Sequence, residues 1–408
     1  MNSFEIDHNT LSILRKVDKA ASIKSGSARL VGGCVRDMLQ GIEPDDIDIA
    51  TDVKPTDICS SLAALGYNVI PTGLKHGTIT AIINKQAVEI TSLRKDIITD
   101  GRHAEIEFTT DWEVDASRRD FTFNAMYMDK EGVLYDYFDG LNDLNNEVIK
   151  FVGYADSRIK EDYLRILRYF RFASKLNNPV IDPITLEIIT KLSSNLSEIS
   201  GERIWSELIK ICSGTSALTV LKIMEYHNIL YSIDASLYLS PDCIAKIEEL
   251  AINDRAKSPL YYIVAMLNSL DNLINLRKRL KFDNNSYDIM KFIIKNHIVE
   301  DGAKGHAIYW VDGPEYVMSR IARGELDPGK LYHYSVYIGD HKLARFLDEY
   351  MAMPKPKFPV SGKDLIELGI PPGPDVGIKL KELRTEWGNS RFVLNREELL
   401  DGIGKTCV

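Results

Sequence analysis

Leu30-Val31-Gly32-Gly33-Cys34-Val35-Arg36-Asp37-Met38-Leu39 is followed closely by Asp45-Asp46-Ile47-Asp48-Ile49-Ala50-Thr51. The first stretch runs two apolar residues into a glycine pair and then into helical spacing, the pattern of a strand, a tight turn and a short helix. The second alternates acid and apolar residues. Strand geometry sends neighbouring side chains to opposite faces, so Asp46 and Asp48 share one face and Ile47 takes the other. Asp45 has the wrong parity for that pair. A strand–turn–helix unit beside an acid-bearing strand predicts a mixed α/β sheet at this end of the chain.

The residue types carry chemistry as well as shape. Two carboxylates about 6–7 Å apart along a strand repel unless something positive lies between them. Hard divalent cations take oxygen ligands of this kind, which makes Asp46 and Asp48 candidate metal ligands and catalytic acids. Glu89, in Ala87-Val88-Glu89-Ile90, is a candidate third acid, facing away from Val88 and Ile90. Upstream, Gly32 and Gly33 let backbone N–H groups approach an anion at a helix start. Arg36 can reach a phosphate oxygen, and Asp37 is expected to orient Arg36 or a nearby amide.

Working outward, Ser3–Ser25 reads as an amphipathic helix through Ile6, Leu11, Leu14, Val17 and Ala21. From Ala28 to about Phe151 short β-rich runs alternate with turn residues at Gly73, Gly101, Gly132 and Gly140. After Gly153 strands nearly vanish and helical spacing continues to about Asn296. A proline-rich joint at Pro354–Pro359 leads into a last module, SGKDLIELGIPPGPDVG.

The 408 residues exceed what one hydrophobic core supports, so two or more domains are expected. No run reaches the roughly 18 apolar residues of a bilayer span, which predicts no membrane partner. The acidic, polar start MNSFEIDHNT lacks signal-peptide character, and the five scattered cysteines form no CxxC pair. A cytoplasmic protein is expected. The net charge of −9 argues against a basic coat over the whole surface, while leaving room for a local basic groove.

Glu161-Asp162-Tyr163-Leu164-Arg165-Ile166-Leu167-Arg168-Tyr169-Phe170-Arg171 reads as one helix with an arginine every third residue. On it Asp162 and Arg165 are near neighbours, while by Arg171 the stripe has wound about half-way round. These arginines are therefore not expected to share one task. Cytosine and adenine both present an amino donor beside a ring-nitrogen acceptor on their pairing edge. An Asp acceptor next to an Arg donor matches that order, whereas guanine and uracil would meet it like against like. Mispairing buried polar groups discriminates by on the order of 10⁴.

LVGGCVRD…DDIDIAT, RRDFTFNAM, EDYLRILRYFRF and GERIWSEL, in this order from Ala28 to Cys212, resemble the successive motifs of class II nucleotidyltransferases. That group comprises CCA-adding tRNA nucleotidyltransferases and bacterial poly(A) polymerases. The last module resembles the tail of the CCA-adding enzymes. The resemblance implies an α+β architecture: a polymerase-β-like mixed-sheet head followed by an all-helical neck, body and tail. The divisions expected are a helix packing on the head (1–27), the catalytic head (28–152), the neck (153–215), the body (216–300) and the tail (301–408).

The resemblance also implies roles. Gly33 and Arg36 would bind triphosphate, with Asp46 and Asp48 on magnesium ions. Arg119 would contact the nucleotide, while Arg118, Asp120 and Asn124 contribute to phosphate and ribose recognition. Asp162 and Arg165 would be an amino-acid template for C and A, assisted by Arg168 and Arg171. Glu202, Arg203 and Glu207 would support the template helix, and Trp205 would belong to the core. Arg94–Asp115 resembles the full-length flexible loop required for complete CCA addition. No His–Asp dyad of an appended phosphohydrolase domain is present, and His76 reads as a strand-start hydrogen bonder.

The expected reaction is template-independent, two-metal nucleotidyl transfer to a tRNA 3′ end, using CTP twice and then ATP. The helical body is expected to hold tRNA, with Arg277–Lys281 and Lys355–Lys357 as candidate basic stretches; no protein partner is predicted. The alternatives are a poly(A) polymerase, disfavoured by the acidic composition, and a catalytically dead RNA-binding protein.

Overall fold

The computed structural model describes residues 4–99, 104–298, 313–353, 357–390, 392–401 and 403. These divide into two compact units, Met1–Ile233 and Asp234–Val408. The boundaries expected at 27/28, 152/153 and 215/216 all fall within the first unit, and that at 300/301 lies outside the described residues.

Helix α1 spans His8–Ser22, shorter at both ends than the apolar spacing suggested. Asp7 caps it, accepting from the backbone N–H groups of Asn9 and Thr10 at 3.0 Å. Ile13, Leu14, Val17, Ala20 and Ala21 form its buried stripe. The strands follow as β1 (Ala28–Val31), β2 (Asp48–Thr51), β3 (Asn68–Gly73), β4 (Thr78–Ile83), β5 (Gln86–Ser92), β6 (Arg94–Thr99), β7 (Ala104–Phe108), β8 (Met126–Met128) and β9 (Leu134–Asp136). Seven make one sheet in the order β3-β4-β5-β2-β1-β8-β9. Every neighbouring pair is antiparallel except β2 and β5, which run parallel. Their register sets Asp48 beside Glu89.

Two strands escaped the sequence reading. Mostly exposed β3, NVIPTG, lies at the sheet edge with no polar–apolar alternation to announce it. Among the described residues, strand β6 pairs only with β7, as a separate ribbon. That ribbon and α4 (Trp112–Ser117) occupy the segment expected as a flexible loop, of which residues 100–103 lie outside the described residues. His76 ends a short 3₁₀ turn before β4 rather than starting a strand, and its carbonyl accepts from Arg94.

Helices α2 (Gly33–Leu39) and α3 (Pro55–Ala64) follow β1 and β2. Beyond β9 come α5 (Gly140–Asn145), α6 (Ala155–Glu161), α7 (Leu164–Lys175), α8 (Pro183–Leu192) and α9 (Gly201–Cys212), with two further helices to Ile233. The expected single helix over Glu161–Arg171 is two helices. Asp162 is extended, at φ −156° and ψ 106°, and ends α6. Its carboxylate accepts from the N–H of Leu164 at 3.1 Å, serving the first turn of α7.

Phe121 ties the sheet to these helices. Its ring centroid lies 4.8 Å from Phe151 and 5.2 Å from Phe172, with Phe123 and Tyr169 completing the cluster. Phe121 and Tyr169 are fully buried, and each such side chain contributes about 1.5–3 kcal/mol through burial. Helix α9 packs on α7, and Ile204, Leu208 and Ile211 are buried along it. Trp205, expected in the core, is only partly buried.

Every described element of the second unit is a helix. Val360, Leu365, Leu383, Trp387, Leu399 and Ile403 form the core of its last module. There Ser361 and Asp364 make a capping box that Arg396 closes at 2.6 Å. Gly388 brings a helix against Ser319, whose Cα would lie 2.6 Å from an added Cβ. Arg277 lies over the Tyr287 ring at 4.1 Å, and residues 355 and 356 of the second basic stretch are outside the described residues. No helix among the described residues is long and apolar enough to cross a membrane.

Candidate functional site

Strand β1 delivers the chain to Gly32, whose φ of 72° falls in the region glycine tolerates. A Cβ there would sit 3.4 Å from Nη1 of Arg119, so the turn and that arginine are packed closely. Cys34 joins the turn to the acid-bearing strand, its thiol donating to the carbonyls of Val31 at 3.2 Å and Asp48 at 3.5 Å. Burial pushes this thiol up to about 11, so it stays protonated. Arg36 donates through Nε and Nη2 to Asp37, at 2.9 and 2.6 Å, and through Nη1 to Asn124 at 2.8 Å. Asp37 does orient Arg36.

Strand β2 begins only at Asp48, so Asp46 projects from the bend before it. Asp46 is exposed, Ile47 buried, Asp48 half-buried and Ile49 buried. Burial and the neighbouring charge of Glu89 raise Asp48 above the usual carboxylate range, Asp46 adds to this, and Arg119 opposes it. Among the described residues no group of three or more acidic, histidine or cysteine side chains is arranged to hold a metal. The Asp46–Asp48 pair nonetheless has the hard oxygen donors and unbalanced charge that suit a divalent cation, whose other ligands would come from phosphate oxygens and water.

The RRDFTFN segment is organised by a residue the sequence reading passed over. Asp115, fully buried, accepts from Arg118 (Nη2, 2.8 Å), Arg119 (Nη2, 3.0 Å), the Tyr127 hydroxyl (2.7 Å) and the Arg94 N–H (3.1 Å). Burial alone would raise its proton affinity; the charges of Arg119 and Arg118 overcome this and hold it at about 2. Arg119 in turn is held fully charged. Asp120 accepts from Arg168 Nε at 2.8 Å and from Asn124 Nδ2 at 3.2 Å. Arg158 donates to the carbonyls of Arg118 and Arg119 and to Glu161.

Asp162 and Arg165 do not pair. Asp162 accepts from Arg203 Nη2 at 2.6 Å, while Arg165 donates to Glu161 and to the carbonyl of Arg158. The helix break separates them, and only the backbone N–H of Arg165 meets the carbonyl of Asp162, at 3.0 Å. Arg171 reaches buried Glu207 at 3.2 Å. Arg203, expected only to support, therefore lines the site beside Asp162.

These side chains surround a cleft of about 460 Å³ within the first unit. Gly32, Gly33, Arg36, Asp48, Arg118, Arg119, Asp120, Asn124, Asp162, Arg165, Arg168 and Arg171 all line it. Asp46 and Glu89 do not. Leu164, Phe172 and Arg203 line it without having been expected to. Contrary to the expectation from helix winding, Arg165, Arg168 and Arg171 share this cleft. With Asp162 off the helix they subtend only about 120°, which long side chains bridge. A cleft with polar walls, many guanidinium groups and one acid edge suits a polyanion bound beside a cation.

Residues 28–150 match the family described as the poly A polymerase head domain, and residues 180–233 the family described as the probable RNA and SrmB-binding site of polymerase A. The chain is 37% identical over 393 residues to the mitochondrial CCA tRNA nucleotidyltransferase 1 of Homo sapiens, an alignment covering 93% of this chain and 86% of that protein. It is 33% identical over 296 residues to a CCA-adding enzyme of Staphylococcus aureus, covering 67% of this chain and 72% of the other. The crystal structure of the Bacillus stearothermophilus CCA-adding enzyme in complex with CTP superposes with a TM-score of 0.73 at 23% identity, covering 98% of this chain and 99% of that one. The Thermotoga maritima CCA-adding enzyme complexed with tRNA gives 0.66 at 19% identity, covering 99% and 100%. At these identities the structural likeness is one of fold.

Proposed function

Because this chain belongs to the CCA tRNA nucleotidyltransferase family, we propose that it adds C, C and A to tRNA 3′ ends from CTP and ATP, without a nucleic-acid template. The observation that carries the reading is the single cleft in which Asp48, the glycine turn, the RRD arginines and Asp162 with Arg165 all meet. In each cycle the terminal tRNA 3′-oxygen attacks the α-phosphorus, the bond to the β-phosphate oxygen breaks, and pyrophosphate leaves. A divalent cation, Mg²⁺ in this reading, would be held by Asp46 and Asp48 and would supply Lewis-acid polarisation there.

The protein's own groups bind and orient. Gly32 and Gly33 leave space for phosphate oxygens near the backbone, and Arg36, fixed by Asp37 and Asn124, directs its charge to them. Arg119, locked by Asp115 and Tyr127, supplies a second fixed charge beside Asp48. Asp162 and Arg165 read the base from separate anchors, so each is aimed independently. Fixed charges that need no rearrangement as pyrophosphate departs supply most of the rate. Glu89 acts through its charge on Asp48. The head, neck, body and tail divisions stand as part of this proposal, with tRNA held by the helical body.

Incubating the protein with tRNAs ending before CCA, after C and after CC, with labelled CTP or ATP, tests the reading. Sequential C, C and A incorporation is expected, and Asp48→Asn abolishes it while leaving the fold at least as stable. Long adenosine tracts on unrelated RNA would instead indicate a poly(A) polymerase. A cytosolic location is part of this proposal, whereas the vertebrate relatives are named as mitochondrial. Fractionation of expressing cells separates these.

A further inference from the structure

Three guanidinium groups of the cleft gather over one aromatic ring. The Cζ atoms of Arg171, Arg36 and Arg168 lie 4.4, 5.1 and 5.9 Å from the centroid of Phe172. Each arginine is also tied to its own acid: Arg36 to Asp37, Arg168 to Asp120 and Arg171 to Glu207. The acids come from three different segments, so they do not by themselves bring the arginines to a common point. Phe172 does.

The ring is only 4% exposed, yet it lines the cleft on one side. It also lines a second cavity of about 540 Å³, together with Arg36, Asp45 and Lys175. A side chain with space to both sides needs lateral support. Phe121 and Phe123 supply it, meeting Phe172 at 5.2 and 5.3 Å with interplanar angles of 74° and 72°. Both belong to the RRDFTFN motif, whose aromatic positions have no other part in the site.

Like charges this close repel. Burial, together with the charges of Arg168 and Arg36, weakens the hold of Arg171 on its proton, against the pull of Glu207. Arg171 Nε is buried without a hydrogen-bond partner among the described residues. An aromatic face, negative at its centre, attracts cations without consuming an N–H donor, leaving the donors for an arriving anion. We propose that Phe172 is a positioning residue for nucleoside triphosphate: its ring holds Arg36, Arg168 and Arg171 in the directions the bound nucleotide requires. This rests on the cleft being the CTP and ATP site.

The test changes the ring's charge distribution while keeping its shape. Phenylalanines carrying one, two and three fluorines are placed at position 172 of the full chain, and steady-state incorporation of CTP and ATP into tRNA is measured. KM for both nucleotides should rise with each fluorine, reaching about tenfold, while kcat stays within about twofold and the melting temperature is unchanged. Phe172→Leu should raise KM at least as far. Calorimetric titration of CTP gives the same ranking for any variant too slow to assay. A flat KM across the fluorinated series overturns the role of the ring, even if Phe172→Leu is impaired, because packing alone then explains that variant. Failure of the unsubstituted protein to incorporate CTP or ATP overturns the reading of the cleft itself.

Discussion

At the residue scale, Asp115 decides whether the arginines of the site are aimed or loose. Replacing it with Ala leaves two largely buried guanidinium groups and a phenol without their shared acceptor, a change that costs about 3–5 kcal/mol. Urea unfolding of the first unit should register that loss, and nucleotide incorporation should fall with it. The acid limb of stability follows in sign from the same contacts. The folded value of about 2 lies below the ordinary aspartate value of 3.8, so the stabilisation is complete above that ordinary value and disappears as pH falls through about 2. Between about pH 4 and pH 2, Asp115→Asn should therefore lose stability less steeply than the unsubstituted protein. The glycine pair, the DID acids and the RRD arginines were legible because each is a local pattern. Asp115 was legible too, since DASRR places it three and four residues before its partners on a short helix. Arg203 was not, because its partner Asp162 lies 41 residues away in sequence.

At the element scale, α9 is a bracket across the α6–α7 joint. Arg203 holds Asp162, and Glu207 holds Arg171. The Arg203–Asp162 pair is partly exposed, so its contribution to stability is small, about 0–1 kcal/mol. Its contribution to orientation is larger. Arg203→Ala should lower kcat/KM for CTP and ATP about tenfold or more and relax rejection of GTP and UTP, while moving the melting temperature by less than about 2 °C. Competition assays with the four nucleotides provide the check. The joint itself was hidden because no glycine or proline marks it and the arginine spacing runs on without interruption. Asp162, ahead of a hydrophobic run, was the one available sign of a helix start.

At the scale of the whole molecule, the cleft belongs entirely to the unit that ends at Ile233. Calorimetry of the full chain should resolve two unfolding transitions, and CTP with Mg²⁺ should raise only the one assigned to this unit. At one hundred times the dissociation constant the stabilisation is about 2.7 kcal/mol. A shift of both transitions by equal amounts would mean that the units unfold as one. The change from sheet to helix near Gly153 was plain in the sequence, because hydrophobic periodicity switches there. The division after Ile233 was not, since it is a matter of where contacts become sparse, and YSIDAS carries no glycine or proline to announce it.

The extended backbone at Asp162 has a hereditary consequence. In templated synthesis the order of bases in an RNA is copied from another nucleic acid, and an error can be compared with its original. If Asp162 and Arg165 select C and A, the text of a tRNA's last three letters is written in the spelling of a protein. A single codon change at position 162 would then alter not one transcript but the ending of each tRNA this protein completes.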